Sequence, residues 1–177
     1  MSKAGKVALC GTVSALAVTI LMLTGIVSIA TFALPAIAGM LSVILVIEGG
    51  VRLGFAMFFV CSALSVLIVP DKEAVLYFIG FFGYYPIIKN IAERMKNKAL
   101  SYIIKFLVFN AAMIACFFVS IVVLSIPKES FMIAGYYVPW IFLIVGNPIF
   151  LLYDRCLSMM IAMYVVKWRK HIFKNFR

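Results

Sequence analysis

Two adjacent charged residues, Asp154 and Arg155, lie inside an apolar stretch near the C-terminal end of the chain. A charge within a membrane span is costly, so it tends to face a cavity, a partner or an opposite charge. Neighbouring residues on a helix point about 100° apart, so we expect the two side chains to have separate partners. Three interpretations follow: a salt bridge with another span, a ligand contact from an outward-facing cavity, or a helix end that places both charges at the membrane interface.

A second segment whose residue types could take part in binding is Gly80–Pro86, with the sequence Gly-Phe-Phe-Gly-Tyr-Tyr-Pro. Pro86 has no backbone N–H to donate, and a broken helix at membrane depth often lines a cavity. Tyr84 and Tyr85 add aromatic faces and hydroxyl groups. The segment fits either a surface that contacts a substrate or plain aromatic packing beside a kink.

The sequence motifs of common hydrolases, nucleotide-binding proteins and metalloenzymes are missing. His171 lies in a basic tail, and the four cysteines are scattered through apolar stretches without metal-binding spacing. A membrane enzyme could use a cluster of Glu48, Glu93 and Arg52 at one interface, but nothing else supports catalysis. We therefore expect no metal, no cofactor and no enzymatic activity.

The composition predicts which elements hold these residues. The chain is 66% apolar and 12% charged, and a soluble domain of this size would have too little polar surface. Apolar runs of about 20 residues recur, which is the length that crosses the hydrocarbon core. We predict an all-α polytopic membrane protein with a single transmembrane domain over residues 1–177. Its six predicted spans cover residues 7–30, 33–48, 51–69, 74–91, 105–124 and 148–168.

The basic residues predict an orientation for these spans. Thirteen of the sixteen Lys and Arg residues lie in gaps on one side of such a chain. Short cytoplasmic loops retain Lys and Arg, so both termini are predicted to be cytoplasmic in a multi-pass protein of the cell membrane. The net charge of +10 then suits anionic lipid headgroups rather than nucleic acid.

The segment 131–146 is apolar and aromatic, but a seventh span there would place the basic C-terminus outside. We predict an outer re-entrant or interfacial helix, or an extension of the fifth span, with Tyr136, Tyr137 and Trp140 in an interfacial belt. Asn147 before Pro148 is typical of an N-cap and first turn, so the last span is predicted to begin there. Asp154 would then lie about 9–10 Å below the outer end, at 1.5 Å per residue.

The first span carries small residues at helical spacing, namely Ala8, Gly11, Ala15 and Thr19. Gly11 and Ala15 are four residues apart, so both lie on one face, where another helix can approach closely. One interpretation is packing against a span of the same chain. The other is docking to a separate membrane protein.

Six spans with cytoplasmic ends, together with the opening Lys6-Val-Ala-Leu-Cys-Gly-Thr-Val-Ser-Ala-Leu-Ala, resemble the substrate-binding S components of bacterial energy-coupling factor transporters. The resemblance implies capture of a vitamin-like small molecule from outside. It also implies docking, through the small residues of the first span, on a coupling transmembrane subunit driven by two ATPase subunits. The pocket would then include Asp154, Arg155 and Asn147, with Tyr136, Tyr137 and Trp140 as a lid. The alternative is a non-transporting interaction protein that organises a membrane complex through the same small-residue face.

Overall fold

In the computed structural model the chain forms a bundle of α-helices. The structure describes residues 2–27, 30–125 and 139–168, and the backbone of 132–133 and 136–137. The helices are α1 (Lys3–Met22), α2 (Ala33–Met40), α3 (Ser42–Gly49), α4 (Val51–Ile68), α5 (Lys72–Tyr77), α6 (Tyr85–Ala92), α7 (Lys98–Val122) and α8 (Pro139–Met163). A 3₁₀ turn at Leu23–Gly25 extends α1, and π-helical turns follow α5 at Phe78–Phe82 and α8 at Tyr164–Trp168. Two short antiparallel strands, β1 (Met132–Ile133) and β2 (Tyr136–Tyr137), precede α8.

The bundle has the dimensions and surface of a membrane protein. Within the described ranges, five helical stretches are long and apolar enough to cross a membrane: Lys3–Gly25, Val51–Ile68, Lys72–Ala92, Lys98–Val122 and Leu143–Lys167. A shorter apolar helical stretch covers Ala33–Gly49. Many Leu, Ile, Val and Phe side chains are exposed on the bundle surface, which suits contact with hydrocarbon. The predicted class, a helical multi-pass membrane protein, is therefore confirmed.

Contacts between helix ends define two opposite ends of the bundle. At the first, which we call the Asp71 end, the Thr31 hydroxyl donates to the Asp71 carboxylate at 3.1 Å. Asp71 also caps α5 by accepting the backbone N–H of Ala74 at 3.0 Å, as expected of an aspartate before a helix. At the other, the Glu48 end, the Tyr164 hydroxyl donates to Glu48 at 3.4 Å. The C-terminal parts of α3 and α8 therefore lie together.

The fourth predicted span is a broken helix. After α5 the backbone widens into the π-helical turn at Phe78–Phe82, and α6 starts at Tyr85 with Pro86 in its first turn. Proline suits that position because the first N–H groups of a helix have no intrahelical acceptor. The break predicted from Pro86 is confirmed, and it lies just before the proline.

The last two long helices begin earlier than the sequence analysis predicted. α7 starts at Lys98 because the Asn97 side chain accepts the backbone N–H of Ala99 at 3.0 Å, which is an N-cap. α8 starts at Pro139 and runs through residue 148. The prediction that Asn147 and Pro148 open the last span is therefore wrong, and residues 139–146 are part of α8. The rest of the predicted outer segment, including the Tyr136 and Tyr137 side chains, lies outside the described residues.

The interior divides into two apolar clusters that meet at the broken helix. One joins α1 and α4, through buried Ala17, Leu21, Met57 and Cys61 among others. The other joins α6, α7 and α8, and is mainly aromatic. Phe81 lies at its centre, with ring centroids 4.7 Å from Tyr85 and 5.3 Å from Phe109. Edge-to-face and tilted contacts of this kind add to the stabilisation from burial.

Gly39 permits the close approach of α2 to the π-helical turn. A Cβ atom at this position would overlap the backbone carbonyl oxygen of Phe82. Gly39→Ala is therefore expected to lower the free energy of unfolding in detergent by about 1–3 kcal/mol, because backbone must move to relieve the overlap. Gly11→Ala is the matched control, because a Cβ there meets nothing within 4 Å, and it should be neutral or stabilising. Equal midpoints of the two variants in thermal or denaturant unfolding would contradict this packing.

Candidate functional site

Four charged side chains from three helices form a closed ring inside the bundle. We call Lys89, Glu93, Lys105 and Asp154 the charge ring. The Lys89 ammonium donates to Glu93 Oε1 and to Asp154 Oδ1, both at 2.6 Å. The Lys105 ammonium donates to Glu93 Oε1 at 2.7 Å and to Asp154 Oδ2 at 3.2 Å. Each cation therefore bridges both anions, and each anion bridges both cations.

Helical spacing places these groups at one level. Tyr85, Lys89 and Glu93 are separated by four residues, so they share one face of α6 and its C-terminal end. Lys105 lies seven residues after the start of α7, which is about 10 Å into that helix. The Tyr85 hydroxyl also donates to Asp154 Oδ1, at 2.6 Å. The ring thus joins α6 and α7 to the middle of α8.

The ring lies in the protein interior except at Glu93. Lys89 is 0% exposed and Lys105 is 3% exposed, whereas the Glu93 side chain is 43% exposed. Burial alone would raise the pKa of Glu93, but hydrogen bonds from Lys105 and Lys89 outweigh it and hold the pKa below 4.5. A lowered pKa means that the ionised carboxylate stabilises the fold above pH 4.5, and that this stabilisation is lost as the pH falls further.

The charges of the ring cancel, with two ammonium groups against two carboxylates. Buried ion pairs of this kind recover in Coulomb and hydrogen-bond energy much of what desolvation costs. Each of the four charges is paired with another residue of the chain, so none of them is unpaired and available to bind a solute. The ring is suited to fixing α6, α7 and α8 in one arrangement and closing the bundle between them.

The position of Asp154 corrects the sequence analysis. α8 begins at Pro139, so Asp154 lies about 22 Å from the first residue of its helix, much deeper than predicted. Its partners are Tyr85 and Lys89 of α6 and Lys105 of α7. Of the three interpretations, the salt bridge with other spans is confirmed for Asp154.

From the sequence, Lys89 and Lys105 are counted among the thirteen basic residues of one side, and Glu93 belongs to a possible cluster at one interface. In the structure Lys89 and Lys105 are helical and buried, so these two of the thirteen basic residues counted for orientation lie inside the bundle. Two signals could have revealed them. Tyr85, Lys89 and Glu93 recur every four residues, and Lys105 is a lone cation between apolar residues.

The remaining predicted site residues are dispersed. Tyr84 is half-buried, and its hydroxyl donates to the Gly80 carbonyl at 2.7 Å. Asn147 pairs with Asn110 of α7 through reciprocal amide hydrogen bonds of 3.0 and 3.2 Å. Trp140 is 69% exposed near the start of α8. Arg155 is exposed on the side of α8 that faces away from the charge ring. The structure therefore brings together only Tyr85 and Asp154 of the predicted binding set.

The small residues of α1 lie on its outer side. Ala8, Gly11, Ala15 and Thr19 are all exposed, and we call them the small-residue stripe. The intervening Val13, Ala17, Val18 and Leu21 are buried against the bundle. The Thr19 hydroxyl donates to the Ala15 carbonyl of the same helix at 2.9 Å, so the stripe presents no unsatisfied donor to its surroundings. Packing of the stripe within this chain is therefore excluded for the described residues.

A small cavity of about 30 Å³ lies between α3, α6 and α8, lined by Val43, Val46, Ile47, Pro86, Asn90 and Ile161. The Asn90 Oδ1 atom is buried and has no hydrogen-bond donor among the described residues. The cavity can hold water, but sites for small organic molecules measure about 300–1,000 Å³. It is not a solute site at this size.

No protein-family model, curated protein or solved structure matches the chain. Function has to be inferred from its own residues: a neutralised charge ring inside the bundle, and two helix faces that the bundle leaves open.

The charge ring predicts strongly non-additive mutations. Asp154→Leu should cost about 3–5 kcal/mol, because two buried ammonium groups would share one carboxylate. Lys89→Met should also be destabilising. The double variant leaves a neutral Lys105–Glu93 pair, so its cost should fall well below the sum of the single costs. Equilibrium unfolding in detergent measures all three, with Glu73→Gln outside the ring as control. Additive effects would contradict a closed ring.

Proposed function

We propose that this chain is the membrane-embedded, substrate-binding subunit of an energy-coupling factor type importer in the cell membrane. In the proposed topology the chain crosses the membrane six times and both termini are cytoplasmic. The alternating helices and the basic residues near the Glu48 end support this arrangement. The shorter stretch Ala33–Gly49 would be the second crossing.

The observation that carries the proposal is the exposure of the small-residue stripe. A helix that packs only within its own bundle turns its small residues inward, where they allow close approach. Here Gly11 and Ala15 face outward, whereas the interior side of α1 carries Val13, Val18 and Leu21 together with Ser14 and Ala17. Ala8 and Gly11 belong to the half of α1 nearer the N-terminus, which is the cytoplasmic half in the proposed topology, and Ala15 lies just past the middle of the helix. A coupling subunit served by cytoplasmic ATPases would meet the stripe there.

The charge ring inside the bundle also supports the proposal of a substrate-binding subunit. A subunit that captures a solute from outside must be closed on its cytoplasmic side. The ring ties α6, α7 and α8 together in that half. In this proposal the solute, a vitamin-like small molecule, enters from the Asp71 end, near the start of α8, where Trp140 and Asn147 lie above the ring. Asp154 then supports the floor of the site and does not contact the solute.

Docking is tested by adding bulk to the stripe. The double variant Gly11→Leu/Ala15→Leu should lose copurification with a coupling subunit and ATPases, because the larger side chains prevent close helix approach. Leu16→Phe adds bulk to an exposed neighbouring face of α1 and should leave the complex intact. Thermal unfolding in detergent checks that all variants fold. A complex that survives the double variant would rule out docking through the stripe.

A second candidate function is a non-transporting interaction protein that organises a membrane complex through the same stripe. The complete pairing of Asp154 favours it, because no charged group inside the described bundle is held ready for a solute.

Thermal-shift measurements with a panel of water-soluble vitamins separate the two candidates. For a substrate-binding subunit, one ligand at 100 times its dissociation constant should stabilise the protein by about 2.7 kcal/mol. The expected result is a raised unfolding temperature with one vitamin class, which Trp140→Ala reduces. An unchanged unfolding temperature across the panel would favour the interaction protein.

A further inference from the structure

Arg155 lies at the centre of the apolar part of α8. The stretch Leu143–Lys167 is long and apolar enough to cross a membrane, and Arg155 is twelve residues from either end. At 1.5 Å per residue each end is about 18 Å away. The side chain is exposed on the bundle surface, and the part of the chain that the structure describes gives it no ion pair.

The surroundings of Arg155 form an open helix face. Leu152, one turn before it, is 67% exposed, and Met159, one turn after it, is 59% exposed. The opposite side of α8 is sealed, because Tyr153 and Leu157 are buried in the aromatic cluster. A cation therefore stands alone in the middle of an apolar face that the bundle does not cover.

Lipid alone does not satisfy this cation well. The phosphates of a bilayer lie at the two interfaces, farther from Arg155 than an arginine side chain extends, although local thinning of the membrane reduces the gap. A charged side chain this deep is therefore expected to face a cavity or a partner with an opposite charge.

A second copy of this chain does not supply that charge within the described residues. Asp154 and Glu93 are held in the charge ring. Asp71 and Glu73 belong to the Asp71 end, and Glu48 to the opposite end. Glu93 is 43% exposed near the level of Arg155, but its carboxylate is already paired with Lys89 and Lys105, so symmetric contact between two copies would leave the arginines without a free carboxylate.

We propose that the outer face of α8 binds a transmembrane helix of another membrane protein that carries an Asp or Glu at mid-membrane. The carboxylate pairs with the Arg155 guanidinium, and Leu152 and Met159 pack against apolar residues on either side. A guanidinium suits this role because its planar donors match a carboxylate in two-point contact. This contact is separate from the small-residue stripe on α1 and does not depend on the proposed transport function.

The first test uses the purified full chain in phosphatidylcholine vesicles with a synthetic leucine-rich transmembrane peptide as probe. The peptide carries one central Glu, and a matched peptide carries Leu at that position. Energy transfer between labelled protein and peptide should show binding about tenfold tighter for the Glu peptide, the size expected for one interhelical polar contact. Arg155→Leu should remove this preference, and Arg155→Lys should retain part of it. The matched control Arg52→Leu removes an exposed cation at the start of α4 and should change nothing.

Three results would overturn the proposal. One is equal binding of the two peptides, and another is a Glu preference that persists in Arg155→Leu. The third is energy transfer that depends on added phosphatidylglycerol instead of the peptide charge, which would assign Arg155 to lipid.

The second test identifies the natural partner by a photo-crosslinking residue at position 152. The crosslinked segment should carry Asp or Glu within its span, and reversing both charges should restore a contact that Arg155→Glu abolishes. A crosslinked span without an acid, or a crosslink to a second copy, would overturn the proposal. The Gly11→Leu/Ala15→Leu variant should still prefer the Glu peptide, so failure of α1 docking and failure of the Arg155 contact are distinguishable.

Discussion

The ion pairs between Lys89, Lys105 and the Asp154 carboxylate are the constraint on which the rest of this bundle depends. A charge in the membrane interior has no water to solvate it, so each of these groups requires its partners at hydrogen-bond distance. That requirement fixes the register of α6 and α7 against α8. Since Tyr85 donates to the same carboxylate, it also sets the position of the aromatic cluster around Phe81.

The ring explains why α6 is a separate helix. Tyr85 and Lys89 must both face α8, while the helix before the break must bury Val75 and Phe78 against α1 and α4. The π-helical turn at Phe78–Phe82 rotates the buried face of the chain, so that residues before it face α1 and α4 and residues after it face α8. π-Helical turns inside α-helices are rare and are frequent at functional sites. This one lies where the two apolar clusters meet.

The two faces proposed above to make functional contacts are on the outside of the bundle. Inside, opposite charges are matched within the chain, and the described cavity beside Asn90 has room for water alone. Outside, the small-residue stripe and the face around Arg155 are the features that the chain does not satisfy by itself. We propose that these two faces join the chain to other membrane proteins, whether or not it also carries a solute.

The sequence by itself determined the helical membrane class, because no soluble fold can cover so apolar a chain. It also determined the break before Pro86 and the small-residue face of α1, since each depends on residues within one or two helical turns. Only the tertiary structure decided that Lys89 and Lys105 belong inside the bundle, that Asp154 is their partner, and that Arg155 faces outward. Lys105 and Lys89 are 49 and 65 positions from Asp154 along the chain. Periodicity within one helix cannot tell which charged faces of three helices meet. The start of α8 at Pro139, with Pro148 inside the helix, was likewise decided by the tertiary structure, because an Asn-Pro pair suits a helix start and also the interior of a membrane helix whose neighbours satisfy the freed backbone groups.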